Sequence, residues 1–130
     1  MALASTRTEF TDYYERSSEL PQFRHILEDD LMSLPEYEIV FTGYVLHTLH
    51  ASLWCLLTTS NYKDCALKAV NLGGDTDTTG CVAGGLAGIV YGMKSIPPEW
   101  INQLARKGDV DCLFHEFAEL CEETGLKSPG

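Results

Sequence analysis

Residues 62–92 read YKDCALKAVNLGGDTDTTGCVAGGLAGIVYG, and this stretch decides the fold. Cys65, Ala66, Ala69 and Val70 recur at helical spacing, which predicts a helix from Tyr62 to about Asn71 with Ser60-Asn61 as its cap. Leu72-Gly73-Gly74-Asp75 breaks the pattern. A second helix is expected from about Thr78 to Tyr91, stopped by Gly92. In it Gly80, Gly84, Gly88 and Gly92 fall four apart, with Ala83 and Ala87 beside them. An interior glycine costs a helix about 1 kcal/mol relative to alanine. The stripe is therefore expected to admit a closely approaching neighbour helix, which Cβ atoms would hold off.

Working outward, Val45, Leu46, Leu49, Leu53, Trp54, Leu56 and Leu57 give the segment from Tyr44 to Leu57 a broad apolar face. Such width predicts a helix buried between neighbours. Upstream, Pro21 is placed to open a helix whose stripe is Phe23, Ile26 and Leu27, and Asp29-Asp30 and Ser33 to Pro35 read as a break. A short segment carrying Phe10, Tyr13 and Tyr14 precedes it. Downstream, Pro98 suits the first turn of a helix carrying Trp100, Ile101 and Leu104, ended by Gly108. Asp109 then caps a last helix whose Val110, Leu113, Phe114, Phe117, Leu120 and Cys121 share a face, with Gly125 as its stop. No run alternates as a strand does, so the expected fold is all-α, a bundle-like helical domain over residues 23–125 behind a polar, loosely held segment 1–22.

A chain of 130 residues with 45% hydrophobic and 22% charged residues has the balance of one globular domain, which excludes a disordered tail or a low-complexity segment. Nine basic against nineteen acidic residues give a net charge of −10. That charge repels nucleic-acid phosphates and disfavours an anionic membrane surface. The five cysteines form no CxxC pair, so a structural zinc site has no support and reduced core thiols are expected. The N-terminus lacks a signal-peptide core and the most apolar run, Cys81 to Tyr91, is too short to span a bilayer. A cytoplasmic location follows as the expectation.

The chemistry is concentrated in residues 73–80, Gly-Gly-Asp-Thr-Asp-Thr-Thr-Gly. Asp75 and Asp77 are interleaved with the hydroxyls of Thr76, Thr78 and Thr79, a dense set of hard oxygen donors suited to Mg²⁺, Mn²⁺ or Ca²⁺. The plain alternative, that one aspartate caps the helix, leaves the second carboxylate and the double glycine unexplained. An EF-hand register would put Leu86 where a bidentate Glu is required, and fails. The Asp-x-Asp-x-Thr pattern of aspartyl-phosphate phosphotransferases also fits 75–79, but it needs a buried strand immediately upstream.

With their neighbours these residues resemble the ADP-ribosylglycohydrolase family, over roughly residues 23–121. The resemblance is carried by Gly43-Tyr44-Val45-Leu46-His47-Thr48-Leu49, Ala51-Ser52-Leu53-Trp54, Ala69 through Gly80, Gly84-Gly85-Leu86-Ala87-Gly88, Tyr91-Gly92 and Ile96-Pro97-Pro98-Glu99-Trp100. It implies an all-α fold, a pair of Mg²⁺ or Mn²⁺ ions, and hydrolysis of the glycosidic bond joining ADP-ribose to a protein side chain or small acceptor. By the same resemblance Asp75, Asp77 and Thr78 match the family's C-terminal metal ligands. Its N-terminal Gly-Asp motif and Thr-Asp-Asp-Thr run have no counterpart here, and Asp29-Asp30 lack the flanking Thr. The chain is thus expected to be the C-terminal portion, with half of the binuclear site and no assigned catalytic residue. A homo-oligomer or a complementary N-terminal segment is the expected partner, alongside an ADP-ribosylated substrate. The alternative is a non-catalytic helical module that binds a divalent cation or a nucleotide.

The remaining candidates have plainer roles. His47 and His50, and Cys112 and His115, are spaced to chelate but have no third ligand nearby in sequence, so packing or solvent-edge positions are expected. Tyr44 is placed either to line a substrate cleft or to fill core. Glu116, Glu119, Glu122 and Glu123 read as the solvated face of the last helix.

Overall fold

The computed structural model describes residues 20–27, 30–40 and 42–124. The segment around Phe10, Tyr13 and Tyr14, most of the polar stretch 1–22 and the Gly125 stop lie outside them. A 3-10 turn, Leu20–Phe23, runs into α1 (Arg24–Leu27), so the helix expected to open on Pro21 starts in the tighter form. The expected break is filled by two further 3-10 turns, Leu31–Ser33 and Glu36–Glu38. Then come α2 (Val45–Leu57), α3 (Tyr62–Asn71), α4 (Thr76–Tyr91), a 3-10 turn at Met93–Ser95, α5 (Pro98–Asn102) and α6 (Lys107–Glu123). No strand occurs among the described residues, and the fold is all-α. None of these helices is long and apolar enough to cross a membrane. The chain divides into two compact units, Met1–Ser95 and Ile96–Gly130.

In the first unit α4 packs along both α3 and α2, which also touch each other. The residues closed off completely are small: Ala51, Ser52 and Cys55 on α2, Cys65 and Ala69 on α3, Thr79, Ala83 and Ala87 on α4. This corrects the broad face expected of α2. Its leucines flank the contact half-buried and Val45 is exposed, because helices this close admit only short side chains along the line of contact. On α3 the expected Asn61 cap forms, its side chain accepting from the Asp64 amide at 2.9 Å. Cys65 and Ala69 face inward as expected, but Val70 is exposed. The sulfur of Cys65 points at the Ala83 carbonyl, 3.9 Å away. All five cysteines are free. Burial pushes the Cys55 thiol up to about 12, with the nearby Cys65 adding to the shift, so it stays protonated and inert.

Trp54 anchors the preceding turns by donating from Nε1 to the Leu34 carbonyl at 2.9 Å. Lys68 lies over its ring, 3.5 Å from the centroid, and donates to the Thr58 hydroxyl at 2.6 Å. The far end of α4 is tied down by Tyr91, whose hydroxyl donates to the Thr59 carbonyl at 3.1 Å.

The glycine stripe proves to be two contacts rather than four. A Cβ on Gly80 would stand 2.8 Å from Val70 Cγ1 and one on Gly84 would stand 3.4 Å from the Tyr62 hydroxyl. Gly88 has nothing within 4 Å, and Gly92 ends the helix at φ +78°. The double glycine has a conformational reason: Gly73 (φ +90°) and Gly74 (φ +63°) both lie in the left-handed region.

In the second unit Pro98 occupies the first turn of α5 as expected. Asn102, not Gly108, is its last residue. The long helix α6 begins two residues ahead of the expected Asp109 cap. Arg106, at φ +56°, is the residue before it, and Gly108 and Asp109 lie in its first turn. The Arg106 guanidinium pairs with Asp109 at 2.6 Å. Leu113, Phe114, Phe117 and Leu120, from the apolar face read in the sequence, are each more than half exposed.

Gly88→Ala should stabilise the protein by up to about 1 kcal/mol, since it removes backbone entropy and meets no atom. Gly74→Ala should cost about 1–2 kcal/mol, the strain of a left-handed residue with a Cβ. Urea unfolding midpoints of the two variants check both signs.

Candidate functional site

The site is the first turn of α4. Because Gly73 and Gly74 reverse the chain after α3, the next residue, Asp75, takes the N-cap position of α4. Its backbone carbonyl accepts the first bond of the helix, from the Thr79 amide at 3.1 Å, and the Thr79 hydroxyl at 3.0 Å as well. The Thr79 carbonyl in turn accepts from the buried Ser52 hydroxyl at 3.3 Å, which fastens this turn to α2. Thr79 is fully buried, so its hydroxyl leaves the candidate ligand set: one residue beyond Thr78 the helix has rotated it into the core.

What remains outward is Asp75, half-buried, with Asp77 and Thr78, both exposed. The Thr78 hydroxyl holds the Asp75 carboxyl below its ordinary value, helped by the Thr78 amide. Two carboxylates and a hydroxyl thus share one helical turn, at the end where the helix dipole favours negative charge. Among the described residues no group of three or more His, Cys, Asp or Glu side chains converges on a metal-sized site. The segment upstream is α3, not a strand, which disposes of the phosphotransferase reading.

A second wall comes from the start of α2. A Cβ on Gly43 would stand 2.8 Å from Asp75 Oδ2, so the carboxylate lies in space that only a glycine leaves open. Beside it Thr42 shares a 2.8 Å hydrogen bond with His47 Nδ1, accepts from the Tyr44 amide at 3.3 Å, and through its carbonyl accepts from the Thr48 hydroxyl at 3.2 Å. His47 meets the Tyr44 ring edge-on, centroids 5.1 Å apart. Tyr44, His47 and His50, with Gln22 and Glu38, line a cavity of about 460 Å³. The histidines therefore build a wall and a loop, as packing residues do. Gly43 and Thr42 are the members of this site that residue type alone did not single out.

A model of the ADP-ribosylglycohydrolase family matches residues 2–127. The chain belongs to the ADP-ribosylglycohydrolase family. The match extends beyond residues 23–121, into the polar N-terminal stretch. Similar members include the ADP-ribosylarginine hydrolase Tri1 of Pseudomonas putida (strain GB-1), 39% identical over 80 residues, 62% of this chain and 22% of that protein. The ADP-ribosyl-[dinitrogen reductase] glycohydrolase of Rhodospirillum rubrum is 41% identical over 66 residues, 51% of this chain and 22% of that protein. The ADP-ribosylhydrolase ARH3 of Mus musculus is 25% identical over 121 residues, 83% of this chain and 33% of that protein. The chain thus spans between 22% and 33% of the length of these ADP-ribosyl hydrolases.

The Asp75 carboxyl should titrate below 3.8, and Thr78→Val should bring it back toward that value. Following the Asp75 Cγ resonance by NMR over roughly pH 2 to 6 checks this. With the native value the lower one, the carboxylate's contribution to stability is present above the unfolded value and fades as pH falls through the native one.

Proposed function

We propose that the first turn of α4 is part of the metal site of an ADP-ribosyl hydrolase, with Asp75, Asp77 and Thr78 as ligands to Mg²⁺ or Mn²⁺. The observation that carries this reading is that Asp75, Asp77 and Thr78 stand outward together on the first turn of α4, next to the Gly43 backbone. Together they present hard oxygen donors of the kind these cations take. The acidic donors hold the cations, and Tyr44 and the cavity beside it receive the nucleotide part of an ADP-ribosylated protein side chain or small acceptor. When bound, the family's two divalent ions supply orientation of the ribose hydroxyls and activation of water at the anomeric carbon. Three donors leave either ion largely hydrated, and a second copy or a further polypeptide segment would supply the ligands that complete the site.

A second reading, a non-catalytic module that binds a cation or a nucleotide, is supported by the same cavity. Its volume lies within the usual range of ligand pockets, about 300–1,000 Å³, whether or not hydrolysis follows.

Calorimetric titration with Mn²⁺ should give weak, micromolar-to-millimolar binding that Asp77→Ala removes. The isolated chain should release ADP-ribose from a modified protein no faster than a metal-only control. Turnover lost in Asp75→Ala would show instead that this chain is sufficient. The exposed apolar face of α6 supports assembly. Light scattering at micromolar concentration should accordingly give a mass above that of one chain, or a complex with a complementary segment.

A further inference from the structure

We propose that Gly43 is a positioning residue that fixes the direction of the Asp75 carboxylate toward a bound divalent cation; this rests on the metal reading above. Gly43 has no left-handed φ, so its backbone conformation is one that alanine adopts freely. Conformation therefore does not explain the glycine. Space does: a Cβ there would stand 2.8 Å from Asp75 Oδ2 and 3.9 Å from its Cγ. The contact is with the mobile end of a side chain, so a methyl group at 43 is accommodated by turning the carboxylate rather than by moving the backbone.

The loop carrying Gly43 is itself held. The Thr42 hydroxyl bonds to His47 Nδ1 and to the Tyr44 amide, and the Thr42 carbonyl accepts from the Thr48 hydroxyl. Thr48 is buried in α2, the helix that Ser52 ties to the first turn of α4. The two sides of the Gly43–Asp75 contact thus belong to one rigid assembly. The carboxylate occupies space that any side chain at 43 would take, so its direction depends on the glycine, and a metal ligand needs a set direction.

The test uses Gly43→Ala, with Gly88→Ala as a control helix glycine and Asp75→Asn as the ligand knock-out. Mn²⁺ affinity is read from the electron paramagnetic resonance signal of free Mn²⁺, and the Asp75 χ1 from three-bond NMR couplings without metal. Gly43→Ala should bind Mn²⁺ about tenfold more weakly, the size of effect seen when a residue supporting a ligand is lost. It should change the Asp75 χ1 and keep the wild-type unfolding midpoint, and Gly88→Ala should bind like wild type. Wild-type affinity in Gly43→Ala overturns the role of Gly43 and leaves the metal reading standing. Absence of Mn²⁺ binding in the wild type, or wild-type binding in Asp75→Asn, overturns the metal reading and Gly43's role with it. Should Gly43→Ala fail to fold, Thr42→Val decides: releasing the loop should weaken Mn²⁺ binding about tenfold, and unchanged affinity overturns the proposal.

Discussion

Helix α4 lies against α2 and α3 through side chains so short that the backbones almost meet. Thr79, Ala83 and Ala87 repeat every four residues along it, and Ala51, Ser52, Cys55, Cys65 and Ala69 face them with no exposed surface. Little apolar area is gained per residue at such a contact. What holds it is the density of dispersion contacts and the matched polar atoms, Ser52 to the Thr79 carbonyl and Cys65 toward the Ala83 carbonyl. A contact of this kind tolerates enlargement poorly, since an added methylene has nowhere to go. It also fixes the start of α4 to within the play of a hydrogen bond, and everything at the site inherits that precision.

The first turn of α4 divides its tasks between atoms of the same residue. Helix starts leave amides unsatisfied, and a side chain normally answers them. Here the Asp75 carbonyl takes both the amide and the hydroxyl of Thr79, while the hydroxyl and amide of Thr78 act on the Asp75 carboxyl. Two acids one residue apart repel each other, and a chain with net charge −10 offers little relief from its own basic residues. The helix dipole and the Thr78 hydroxyl ease that repulsion, and a divalent cation would end it. The repulsion is thus a property of the metal-free turn, and binding converts it into affinity.

Much of this was legible in the sequence because it depends on local pattern. The Asn61 cap, the inward Cys65 and Ala69, the Gly73-Gly74 reversal and the Gly92 stop all follow from a few adjacent residues. The misses share a cause. Periodicity marks an apolar stripe but not which part of it forms the line of contact, so it assigns to Val70 and the leucines of α2 burial that the smaller residues take. The start of α6 turns on a left-handed Arg106, a conformation with no residue signature outside glycine and asparagine. Thr78 and Thr79 are the same residue type side by side. Only the phase of the helix against α2 sends one outward and the other into the core. The contact of Gly43 with Asp75 joins residues far apart in the chain, and no local pattern announces it.

That contact also bears on why a glycine, rather than a hydrogen-bond donor, stands against the carboxylate. A donor aimed at Asp75 Oδ2 would occupy one of the lone pairs on which a cation depends, and would draw charge from the oxygen. A glycine leaves the oxygen its place without occupying any of its acceptor capacity. Thr78 illustrates the contrast: its hydroxyl lowers the Asp75 carboxyl while leaving its own oxygen able to face a cation. The room left by Gly43 and hydrogen bonding from Thr78 therefore act on the same carboxylate in different ways, one permitting its direction and the other keeping it charged. A ligand that must be both aimed and ionised calls for both.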